Sequence, residues 1–71
     1  MTLIAIDNGQ REAGIIDVDP SIDLTQVQYQ TAMYGFTAYE YDLDGRAAPL
    51  PDQRVATLQE LDNYLRTVPR I

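Results

Sequence analysis

Residues 25–43 read TQVQYQTAMYGFTAYEYDL, and the way this stretch folds decides the architecture. Gln26, Gln28 and Gln30 alternate with Val27, Tyr29, Thr31 and Met33, the period of two expected of a strand with one buried face. Helix signals also flank it: Asp19-Pro20 has the form of an N-cap followed by a proline, and Gly35 that of a C′ glycine. On a helical wheel, however, Ile22, Tyr29 and Met33 project one way while Leu24, Val27 and Tyr34 project nearly opposite. A helix would have no single face to bury. The alternation therefore predicts a strand over 25–33.

Phe36 to Leu43 alternates likewise, with Thr37, Tyr39, Tyr41 and Leu43 on one side and Ala38, Glu40 and Asp42 on the other. Pairing Met33 with Thr37, Thr31 with Tyr39, Tyr29 with Tyr41 and Val27 with Leu43 gathers the large apolar groups on one face, since a one-residue slip would turn that face over. The loop of this hairpin is then Tyr34-Gly35-Phe36, with Gly35 supplying a positive φ. Its two aromatics have two readings: they fold back over the sheet edge, or they form an exposed anchor for another protein.

Upstream, Leu3 to Ile6 is short, apolar and β-branched, and Asn8-Gly9 favours a two-residue type I′ turn into a second run, Glu12 to Val18. Gly14 within that run marks a bulge or a close approach of other atoms. Downstream, Arg46 to Arg54 carries Pro49 and Pro51 and reads as an irregular connection. Thr57-Leu58-Gln59-Glu60 then fits a capping box. Leu58, Leu61, Tyr64, Leu65 and Val68 make one apolar helix face, Asp62 and Arg66 an i,i+4 pair on the other, and Pro69 the stop. The expected fold is one α+β domain over 1–71: a small antiparallel sheet of about four strands, in two β-hairpins, packed on one face by a C-terminal α-helix, with Tyr29, Tyr39 and Tyr41 meeting that helix in the core.

Composition narrows the function. The chain has 71 residues, no cysteine and no histidine. Disulfide, thiolate and imidazole chemistry are thereby excluded. Ser21 has no base to activate it and reads as a turn residue after Asp19-Pro20. A chain this small rarely encloses a catalytic cleft, so neither enzyme activity nor a cofactor is expected. Asp17-Val18-Asp19 and Asp42-Leu43-Asp44-Gly45 are the acidic clusters; the second has part of a calcium-loop pattern but is followed by Arg46-Ala47-Ala48, and both read as turn caps.

Eleven carboxylates against five Lys and Arg give a formal charge of −6, which disfavours direct binding to nucleic acid or to an anionic membrane. The opening run from Met1 is too short and lacks the basic residues of a signal peptide, and no long apolar run follows, so a cytoplasmic protein is expected. The leading expectation is a non-enzymatic protein-binding module, an inhibitor or adaptor of a larger protein with a basic surface. Tyr34 and Phe36 would be its anchor, and Asp17, Asp19, Asp23, Asp42 and Asp44 would serve as phosphate mimics. The alternatives are a self-associating structural subunit, as a homodimer, and an acidic calcium-binding module.

Overall fold

The apolar opening run and the run after Asn8-Gly9 form a hairpin, β1 (Thr2–Asp7) and β2 (Glu12–Val18), with Ile4 opposite Ile16 and Thr2 opposite Val18. These elements come from a computed structural model that describes residues 2–69; Met1 of the opening run, and Arg70 among the arginines, lie outside it. The turn is longer than a type I′ pair. Asp7 faces Glu12, the Asn8 N–H donates to the Arg11 carbonyl at 3.2 Å, and only Gly9 of the Asn8-Gly9 pair takes a positive φ, 98°. The register shifts between Ile6, opposite Gly14, and Asp7, which leaves Ala13 as the extra residue of a bulge.

The second hairpin does not form. Residues Leu24–Met33 are a helix, α1, and Tyr34-Gly35-Phe36 is the turn out of it into β3 (Thr37–Glu40). Both ends of α1 are fixed by local chemistry that the alternating pattern conceals. At the start, the Asp23 N–H donates to Gln26 Oε1 at 3.1 Å, and the chain arrives through an Asx turn in which Ser21 N–H donates to Asp19 Oδ1 at 2.9 Å. The N-cap is thus Asp23 and not Asp19. At the end, Gly35 has φ 84°, its N–H donates to Ala32 O, and the Phe36 N–H donates to Thr31 O, both at 3.0 Å. That pair of bonds is a Schellman motif, and its usual apolar contact accounts for Phe36 turning inward.

The sheet order is β3-β1-β2-β4, where β4 is Gln53–Val55. β1 pairs antiparallel with both β2 and β3, whereas β4 runs parallel to β2 through Ile16–Gln53, Asp17–Arg54 and Val18–Val55. The sheet is therefore mixed, and the α+β class holds. Three residues are too few to show a period, so β4 lay hidden in the proline-rich connection. Since β2 and β3 both oppose β1, α1 crosses over the central strand to join two parallel ones.

The last helix, α2 (Leu58–Leu65), begins at the expected N-cap, Thr57, whose Oγ1 accepts from the Glu60 N–H at 3.1 Å. Its Leu61 and Leu65 join Val27 of α1 over Ile4, Ile6, Ile16, Val18, Ala38 and Val55 in one core. The tyrosines depart from expectation. Tyr29 and Tyr39 are exposed and Tyr41 half-buried, while Tyr64 of α2 is the one placed in the core, at 7% exposure.

Tyr64 explains Gly14. A Cβ on Gly14 would stand 2.7 Å from Asp52 Oδ2 and nearer still to the Tyr64 hydroxyl. Asp52 also closes the edge of β2 above β4. Its N–H donates to Ile15 O at 2.7 Å, and its carboxylate accepts from Ile15 N–H at 3.2 Å and from Tyr64 Oη at 3.3 Å. Gly14→Ala should cost about 1–3 kcal/mol of stability, as overpacking does. In a Tyr64→Phe background that cost should shrink, and urea unfolding of the four proteins of this cycle measures the coupling.

Burial, then the Asp52 carboxylate and its hydrogen bond, push the Tyr64 hydroxyl up to about 12. The fold favours the neutral phenol, so its stabilisation is complete below about pH 10 and is lost as pH rises toward about 12. Ultraviolet titration should show a late tyrosinate that Tyr64→Phe removes, along with its share of the alkaline loss of stability.

Candidate functional site

α1 carries two apolar stripes. Leu24, Val27, Thr31 and Tyr34 fall at helical spacing and face inward; Val27 and Thr31 are fully buried, and Leu24 and Tyr34 pack partly against the core. Thr31 tolerates burial because its hydroxyl donates to the Gln28 carbonyl at 3.0 Å. The other stripe has no cover. Tyr29 is 72% exposed and Met33 70%, four residues apart on one side of the helix.

Beside them, Leu58 at the start of α2 closes a groove of about 490 Å³ lined by Thr25, Gln26, Tyr29, Gln30 and Leu58. The helices meet at the far side of this groove through Asp62. Asp62 accepts from Gln30 Nε2 at 3.2 Å and from the Tyr34 hydroxyl, and pairs with Arg66 at 3.0 Å. One carboxylate therefore ties α1 to α2 beside the groove.

The face is also free of charge. Charged residues are 23% of the chain, yet none occurs from 24 through 39. An exposed helix normally carries Lys, Glu or Arg outward, and their removal in favour of Tyr and Met is the composition of an interface centre. A buried helix would also lack charge, but α1 turns Thr25, Gln26, Gln28, Tyr29, Ala32 and Met33 to the outside.

The residues singled out from sequence are placed apart. Phe36 is 5% exposed and belongs to the core, and Tyr34 is half-buried on Asp62, so the aromatics fold inward and no exposed aromatic tip exists. Asp17 is nearly buried and shares the Arg54 guanidinium with Asp19, at 3.2 and 3.1 Å. The backbone N–H and then the hydroxyl of Ser21, with Arg54 beside them, hold the Asp19 carboxyl below its ordinary range. Asp23 caps α1. Asp42 accepts from the Asp44 N–H at 3.1 Å, and Asp44 adopts a positive φ of 46°. These two line, with Thr2, Leu3, Glu40, Tyr41 and Leu43, a larger concavity of about 570 Å³. Of its carboxylates Asp42 caps a turn, and among the described residues no three Asp or Glu are grouped to hold a metal ion. The groove on α1 is smaller but joins apolar area to an absence of charge, so it is the stronger candidate.

Sequence reasoning missed Tyr29, Met33 and Leu58 as a group. The signals were present in the second stripe on the helical wheel and in the uncharged run that contains it. No family model matches the chain, and no curated protein or solved structure matches it either. Among the described residues no helix is long and apolar enough to cross a membrane.

The two stripes should respond oppositely to the same change. Tyr29→Lys is expected to alter stability by no more than about 0.5 kcal/mol, whereas Val27→Lys puts an unpaired charge in the core and should cost about 4 kcal/mol or more. Chemical denaturation of both variants measures the contrast.

Proposed function

We propose that the chain is a small acidic protein-binding module, non-enzymatic, acting as an inhibitor or adaptor of a larger protein, and that the partner seats on the uncharged face of α1. The observation that carries this is the Tyr29–Met33 stripe with its Leu58-walled groove, a fully formed apolar surface on a helix that has already spent its other face on the core. A standard interface takes about 800 Å² from each partner, roughly a sixth of the 4562 Å² that this chain exposes. The stripe is thus its centre, and the polar rim extends onto α2 and the N-terminal turn of α1.

Phosphate mimicry by the five aspartates has less support, because Arg54 neutralises Asp17 and Asp19 while Asp23 and Asp42 are committed to capping. Edge-to-edge self-association also has little to work with. The edge strands are four and three residues long, Gln28 Nε2 occupies the outer carbonyl of Ala38 at 3.2 Å, and two chains of charge −6 repel.

Affinity capture from the native cell extract tests the proposal when run in parallel with Tyr29→Lys and Met33→Lys. A specific partner should be retained by the natural chain and weakened about 30-fold or more by either variant, the loss expected of a hot spot of about 2 kcal/mol. A partner held equally by all three proteins overturns the assignment of the face.

A further inference from the structure

Among the described residues the most exposed large apolar side chain is not on α1. It is Leu50, at 93% exposure, in the connection between β3 and β4. That connection is held at both ends. Arg46 donates from Nε to the Leu43 carbonyl at 3.1 Å and from its guanidinium to the Asp42 carbonyl at 2.9 Å. Asp52 is fixed by its N–H to Ile15 O at 2.7 Å and by its carboxylate, which accepts from the Ile15 N–H and the Tyr64 hydroxyl. Between these anchors, Ala47-Ala48-Pro49-Leu50-Pro51 carries no charge and runs on without a turn or bend. None of its backbone groups is hydrogen-bonded to another described residue.

The conformation of this run is set covalently. Each proline ring holds φ at about −65° and crowds the residue before it out of the helical region, so Ala48 and Leu50 are extended as well. A straight, unpaired run of this kind is polyproline II, whose backbone bonds outward and not to itself. Pro49 and Pro51 are half-buried, and Leu50 between them points out. The prolines also decide what can dock. In an extended chain, residues two apart direct their N–H groups to the same side, and 49 and 51 have none. A partner strand therefore cannot complete a ladder along that side. A groove that donates to the open carbonyls from tryptophan or tyrosine, and seats an apolar side chain between aromatic rings, meets every group on offer.

We propose that residues 47–51 are a second binding element: a preformed polyproline II ligand that a partner domain takes into an aromatic-lined groove, with Leu50 as the inserted side chain. The run is already in its bound shape, so docking orders little that was free. Since Arg46 and Asp52 are engaged within the chain, the attraction is apolar and insensitive to salt. The element stands without the α1 face, and the two together let one chain bridge two proteins.

The test is surface plasmon resonance of the full chain over a panel of immobilised domains whose aromatic grooves take polyproline II peptides. Three variants run beside it: Leu50→Ala, the double change Pro49→Ala with Pro51→Ala, and Tyr29→Lys. Leu50→Ala trims a side chain already in water, so the fold is kept. Binding to at least one domain is expected, weakened about tenfold or more by Leu50→Ala and by the double change, and unaltered by Tyr29→Lys or by salt. A free proline-rich peptide should displace the chain from that domain. No domain held above the bare matrix, or binding that survives both loop variants, overturns the proposal. Binding that Tyr29→Lys removes and both loop variants keep belongs to the α1 face and overturns the loop element alone.

Discussion

A ten-residue helix with two apolar stripes can offer only one of them to a sheet, and much of this molecule follows from that choice. Val27 and Thr31 go inward, and Val27 joins Leu61 and Leu65 of α2 in the core. With that stripe seated, the chain leaves α1 through Gly35 and Phe36 at an angle that delivers β3 to the free edge of β1. The remaining stripe then has nowhere to go. Tyr29 and Met33 stay in water at the cost of exposed apolar area, unless another molecule covers them.

The parts legible in the sequence were those in which local chemistry and burial agree. The first hairpin was visible because Ile4, Ile6, Ile16 and Val18 are β-branched and Asn8-Gly9 separates their runs, although the turn is longer than the dipeptide implied. α2 was visible because its leucines share a face and Thr57 caps it. α1 was misread for a physical reason. Val27 with Thr31, and Tyr29 with Met33, are two i,i+4 pairs on different sides of a helix, and interleaved they produce the same alternation as one face of a strand. The deciding signals were at the ends: Asp23 with Gln26, and Gly35 before an apolar residue. Gln, Ala, Leu and Met are in addition strong helix formers.

The same misreading hid the candidate site. The lack of one clean apolar face weighed against a helix, yet it is what a helix serving both a core and a partner displays. Tyr34 and Phe36 drew attention as turn aromatics, but a Schellman turn draws its following apolar residue inward. Buried Asp17 likewise looked like surface charge because nothing in its own segment discloses that Arg54, from a strand of only three residues, comes to lie beside it.

The account depends on residues 24–33 being helical, with Val27 and Thr31 facing the sheet and Tyr29 and Met33 facing out. Nuclear Overhauser contacts in the isotope-labelled protein test this most directly. Helical contacts three residues apart from Leu24 through Met33, with methyl contacts from Val27 to Leu61 or Leu65 and none from Met33 into the core, are the predicted result. Cross-strand contacts joining Tyr29 to Tyr41, or Met33 to Thr37, would contradict it and remove the two-faced helix on which the docking surface is built.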